Sequence, residues 1–114
     1  MVGEIYYQEA EYEKAIPHFL EYEKSDKDAL LRNDIYLLGM SYYQTEDYAN
    51  AAKYLSRVKQ TTDTLSQNTC LHLGNAYVKL NQTEQAKLAY RAAAQIDAND
   101  TIREEALFNY AITT

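Results

Sequence analysis

The sequence predicts an all-α protein made of repeated antiparallel helix pairs. Three features of the chain point there. Its 114 residues are rich in Ala, Leu, Glu, Lys, Gln and Tyr and include only three glycines and one proline, so little interrupts a helix. Apolar residues recur at i, i+3, i+4 and i+7, the period of one buried helical face. The whole pattern then returns at intervals of 35 to 37 residues, glycine included.

Gly39, in the stretch DIYLLGMSYY, anchors the interval. A mid-helix glycine costs about 1 kcal/mol relative to alanine, and a packing reason for it shows itself as recurrence. Thirty-five residues on stands Gly74, where Leu38, Tyr42 and Ala51 reappear as Leu73, Tyr77 and Ala86. Thirty-six residues back, Gly3, Tyr6, Tyr7, Ala15 and Phe19 occupy the places of Gly39, Tyr42, Tyr43, Ala51 and Leu55. Thirty-seven residues beyond Cys70, Leu73 and Gly74 come Leu107, Tyr110 and Ala111. The glycine is structural.

Taken in order, the first repeat (about 1–27) carries Tyr6 and Tyr7 on its first helix, and Ala15 and Phe19 on its second. Pro17 falls inside that second helix and is expected to remove one hydrogen bond and bend it. In the second repeat (28–63), Ile35, Leu38, Gly39 and Tyr42 form the first stripe. The polar break QTED follows at 44–47, then Tyr48, Ala51, Leu55 and Val58. The third repeat (64–98) has Cys70, Leu73, Gly74 and Tyr77, the break LNQT at 80–83, then Ala86, Tyr90 and Ala93. Asp47 and Thr83 are the expected N-caps of the second helices. Gly39 is predicted to lie against Ala51, and Gly74 against Ala86, because small residues let two backbones approach. Residues 100–114 supply the opening helix of a fourth repeat. The chain therefore reads as one domain over 1–114, a piece of a longer array whose exposed ends are liable to pair with another copy.

The spacing hydrophobe-x-x-Leu-Gly-x-x-Tyr, followed by Ala and then an aromatic or Leu, resembles the tetratricopeptide repeat family, and the resemblance covers nearly the whole chain. Ile35, Cys70 and Leu107 stand where that family usually has tryptophan, and the proline common after the second helix is absent at Lys27, Asp63 and Ala98. The resemblance implies about three and a half repeats stacked into a right-handed superhelix, with the first helix of each pair lining a concave groove. It implies a non-catalytic scaffold that binds a peptide or helix of a partner protein. The 35–37 spacing and the Tyr6–Tyr7 and Tyr42–Tyr43 pairs look most like bacterial cell-envelope members of the family. On that likeness a periplasmic or envelope location is expected ahead of a cytoplasmic one. Self-association, or service as an accessory repeat domain of a larger enzyme or regulator, is the alternative.

Composition excludes other classes. The formal net charge is −6, and residues 1–34 alone hold nine acids against four bases. That sign repels phosphate backbones, so nucleic acid is not an expected partner. No apolar run approaches the roughly 18–20 residues a membrane span needs, and MVGEIYYQEA is not a signal peptide. No Gly-rich phosphate loop, nucleophile elbow or HExxH motif is present. His18 and His72 belong to different repeats without ligand-spaced partners, so neither metal nor cofactor is expected. Cys70, the one cysteine, reads as a small buried hydrophobe. Acid pairs such as Glu104–Glu105 and Glu46–Asp47 read as solvated faces or caps rather than acid/base machinery.

One step around from the packing stripe, the first helices present a candidate partner-binding row. It comprises Tyr7 in the first repeat and Tyr36, Met40, Tyr43 and Gln44 in the second. Leu71, Asn75, Val78 and Lys79 continue it in the third, and Phe108 in the fourth. Tyr and Met on such a face suit peptide or helix recognition, giving large contact area at small entropic cost. A clamp for acidic peptide tails is not expected: of the Lys and Asn residues it needs, only Asn75 and Lys79 have counterparts here.

Overall fold

The computed structural model describes residues 2–25 and 31–113; the expected junction of the first two repeats, at Lys27 and Asp28, lies outside them. Seven helices occupy the described residues, with no strand among them. They are α1 (Val2–Gln8), α2 (Tyr12–Ser25), α3 (Arg32–Gln44), α4 (Tyr48–Leu55), α5 (Thr64–Lys79), α6 (Thr83–Gln95) and α7 (Asp100–Ile112). The all-α helix-pair reading is therefore correct. The chain divides into two compact halves, one up to Val58 and one from Lys59.

In the first half, α1 packs on α2, α2 on α3, and α3 on α4. Ala15, Phe19, Leu38 and Tyr54 form its core, with Ile35 and Tyr42 packed against it. In the second half α5 packs on α6 and α6 on α7, around Cys70, Leu71, Ala86, Tyr90, Ala93 and Ala106. Each fully buried large side chain contributes about 1.5–3 kcal/mol, and Phe19, Leu38 and Leu55 are all of that kind.

The turn inside each hairpin is one structure repeated three times. Ala10, Glu46 and Asn81 all adopt a left-handed backbone, with φ of 59°, 64° and 59°. Their N–H groups bond to the carbonyls of Tyr7, Tyr43 and Val78 at 3.0, 3.1 and 3.0 Å. The next residues, Glu11, Asp47 and Gln82, reach back to Tyr6, Tyr42 and Tyr77 at 2.9, 2.9 and 2.8 Å. This is a helix C-cap that satisfies otherwise orphaned carbonyls and reverses the chain at once. Asp47 then caps α4, its side chain accepting from Asn50 N–H. Thr83 does not cap α6. It is the first helical residue, preceded by Gln82 at the cap position without a side-chain bond.

The glycines meet large side chains. A Cβ built on Gly39 would stand 2.7 Å from Leu55 Cδ2, and one on Gly74 would stand 2.6 Å from Tyr90 Cδ1. The expected contact of small residue with small residue is thus replaced by bulk seated on a bare backbone. The reason is the depth of penetration: Ala51 and Ala86 let the helices close, and Leu55 and Tyr90, four residues on, fill the notch. Gly3 faces the Phe19 ring in the same register at 3.2 Å.

A buried amide locks the second half. Gln67, wholly enclosed in α5, donates from Nε2 to the Ile96 carbonyl at 2.8 Å and the Ala93 carbonyl at 3.3 Å. Its Oε1 accepts from Asn99 N–H at 2.9 Å. Both ends of the amide are satisfied, as burial demands, and the α6–α7 connection is thereby tied to α5. Asn99 caps α7 through Ile102 N–H at 3.0 Å.

Candidate functional site

The tyrosines of the first half follow the 36-residue repeat in space as well as in sequence. Tyr7 meets Tyr12 edge to face at 5.3 Å between ring centroids, and Tyr43 meets Tyr48 in the same manner at 5.6 Å. Tyr6 stacks on His18 at 5.2 Å, and Tyr42 on Tyr54 at 5.6 Å. Each double tyrosine closing a first helix therefore staples the start of the second and a ring near the middle of α2 or the end of α4. Burial, then the neighbouring Tyr36 and Tyr12, pushes the Tyr7 hydroxyl up to about 12. It stays a neutral donor and acceptor throughout the physiological range.

Tyr7 and Tyr36 are thus brought together from α1 and α3. Tyr7, Tyr36 and Tyr43 are all half-buried, each with ring surface left to solvent. Gln44 is exposed and lines a hollow of about 350 Å³ whose other walls are Ala10, Glu11, Tyr12, Glu13, Lys14 and Thr45. Met40, placed on the same row by the sequence, is only 4% exposed and has almost no surface to offer.

In the second half the row is uneven. Leu71 is 3% exposed and belongs to the core. Asn75 is half-buried, its Oδ1 accepting from the Tyr90 hydroxyl at 2.6 Å and from Asn109 Nδ2 at 3.5 Å. That carbonyl holds α5, α6 and α7 together. Val78 and Lys79 are exposed at the end of α5, and Phe108 is 64% exposed on α7.

The sequence reading missed Tyr12, Glu11, Glu13 and Thr45, which line the hollow with Gln44. The register held the signal, since Tyr12 lies under Tyr48 at the same 36-residue interval as Tyr7 under Tyr43. Elsewhere the chemistry is quiet. Cys70 is buried, its thiol donates to Gln60 Oε1 at 3.1 Å, and burial pushes its pKa up, away from nucleophile character. His72 Nδ1 lies 2.8 Å from the Asn68 carbonyl. Among the described residues no cluster of three or more His, Cys, Asp or Glu side chains could hold a metal. No described helix is long and apolar enough to cross a membrane.

Against known proteins, no curated sequence matches the chain. Two family models do match, each a tetratricopeptide repeat, one over residues 35–61 and the other over residues 68–100. The first spans most of α3 and all of α4, and the second spans most of α5 and all of α6. Both fall on the repeats that the glycine interval marks out. With its helix pairs, its recurring glycine notch and these two matches, the chain belongs to the tetratricopeptide repeat family.

Proposed function

We propose that this protein is a non-catalytic scaffold that binds a peptide segment or helix of a partner along the first helices of its repeats. Tetratricopeptide repeats serve in general as protein–protein interaction scaffolds, and what supports the finer reading is the tyrosine row. Tyr7, Tyr36 and Tyr43 come from α1 and α3 and keep part of each ring in solvent. Rings held by neighbouring rings lose little entropy on binding, which favours them as contact residues. Gln44 belongs with them, and the second half carries candidates of its own in Asn75, Val78, Lys79 and Phe108. Met40 and Leu71 are buried and drop out of the proposed contacts. A role in bacterial cell-envelope assembly belongs to the same proposal, resting on the long repeat interval and the tyrosine pairs. Fractionation of the native source tests it.

The binding mode is tested by selecting displayed random peptides on the immobilised chain and titrating the recovered sequences by calorimetry. Tyr36→Ala with Tyr43→Ala should weaken them about tenfold or more while helical circular dichroism is kept. Equal affinity for the double variant, or no recovered peptide, overturns the reading.

One observation favours a second reading, self-association. On α7, Leu107, Phe108 and Ile112 are 52%, 64% and 64% exposed, a row of apolar side chains rarely left bare. A single monomeric species in sedimentation at high concentration would remove it.

A further inference from the structure

The two hairpin turns of the first half are acidic. Glu9, Glu11 and Glu13 surround the α1–α2 turn, and Glu46 and Asp47 sit in the α3–α4 turn. One hollow touches both, with Ala10 to Lys14 on one wall and Gln44 and Thr45 on the other. Two of these charges are already engaged. Lys14 Nζ lies 3.3 Å from Glu11 Oε1, and Asp47 accepts from Asn50 N–H and Asn50 Nδ2 at 3.3 and 2.8 Å. Glu9, Glu13 and Glu46 are exposed and form no ion pair among the described residues.

The Tyr12 ring stands in the same wall, steadied by Tyr7. Of the two carboxylates that line the hollow beside this ring, Glu11 is paired with Lys14 and Glu13 has no ion pair among the described residues. An aromatic face beside an unpaired carboxylate attracts a cation twice over, through the ring quadrupole and through charge. The wider field agrees. Residues 1–58 hold eleven acids and six bases, whereas residues 59–114 hold six and five. The equivalent turn in the second half reads KLNQTE, with one base and one acid, so this acidity is particular to the first two hairpins.

We propose that the hollow between the α1–α2 and α3–α4 turns receives an arginine- or lysine-bearing segment of the protein partner. The cation lies against Tyr12 with Glu13 beside it, and Glu9 and Glu46 supply the surrounding field. This inference rests on the tyrosine row being a peptide-binding surface, and it adds the chemistry of the peptide.

The peptides recovered by display selection test it. Arg and Lys should be enriched among them, and their affinity should fall steeply with added salt. The variant Glu9→Gln, Glu13→Gln, Glu46→Gln changes three exposed side chains and should weaken binding about tenfold while flattening the salt dependence. Recovered peptides that depend on Tyr36 and Tyr43 but lack basic residues, or that bind the triple variant equally well, overturn this inference and leave the proposed function standing. Basic peptides indifferent to the tyrosine pair overturn both, since their attraction is then charge without a site. An empty selection also overturns both.

Discussion

Leu55 fills the space that a side chain on Gly39 would need, its Cδ2 standing 2.7 Å from where that Cβ would be and its own backbone nitrogen 3.1 Å away. The side-chain tip could yield, but the backbone of α4 behind it cannot without parting the two helices. Gly39→Ala should therefore destabilise the first half by about 1–3 kcal/mol despite alanine's better helix propensity. Gly3 faces only the Phe19 ring, at 3.2 Å, so Gly3→Ala should cost clearly less. Urea melts of the two variants, measured side by side, check the order; equal midpoints would refute the notch.

Gln67 is the polar counterpart of that notch. Gln67→Leu fits the space approximately but strips the Ile96 carbonyl and the Asn99 N–H of their partner. A buried carbonyl left unpaired costs about 1–3 kcal/mol, and Ile96 is buried whereas Asn99 is exposed, so the variant should lose about 2 kcal/mol. Hydrogen exchange at Asn99 and along the start of α7 should accelerate. Unaltered protection there would mean that the connection holds without the amide.

The left-handed turn residues offer stabilisation. Ala10 and Glu46 carry a Cβ where glycine is the natural occupant. Ala10→Gly and Glu46→Gly should each raise stability by up to about 1 kcal/mol. Asn81 tolerates this conformation better, so Asn81→Gly should gain less. Thermal melts of the three variants are the check, and a loss at Ala10 would contradict the cap geometry.

Asp34 gives the first half a pH dependence. Burial, then a hydrogen bond with Glu4, pushes its carboxyl from the ordinary 3.8 up to about 6. The same bond with Asp34 holds Glu4 below its ordinary range. Between pH 4 and 6 the folded chain keeps a proton on Asp34 that the unfolded chain releases, so this group's contribution to stability falls as pH rises through that window. Glu4 acts the other way, and its contribution is lost only as pH drops below about 4.5. Asp34→Asn should leave Tm near the parent value at pH 4 and raise it above the parent at pH 7. A constant difference across the range would show that Asp34 is not the titrating group.

How far the sequence disclosed this molecule follows from which features are periodic. The glycine interval, the stripe Ile35–Leu38–Tyr42, the core places of Cys70 and Tyr77, and the Asp47 cap were all legible, because each repeats or has its own local chemistry. The partner of the glycine was not, since spacing identifies a small residue without saying what enters the gap. Thr83 passed for a cap because its type fits, yet the left-handed Asn81 stands at the register of Glu46, so the residue at the place of the Asp47 cap is Gln82. Met40 and Leu71 were placed on an open face by rotating one step around the helix. A helix packed on two sides leaves a narrow open strip, and one step of rotation still falls inside the core. Gln67 carried no signal at all. A polar residue near a helix start looks solvated until its partners, 26 to 32 residues away, are known.

Four close ring pairs lie ahead of Val58, and the chain has no tryptophan. The coupled-ring part of the near-ultraviolet dichroism therefore works as a built-in gauge of the first half. That part will be lost when the leading hairpins come apart, while the buried Tyr90 keeps its own contribution for as long as α5 and α6 stay packed, so the loss can be followed without attaching a dye.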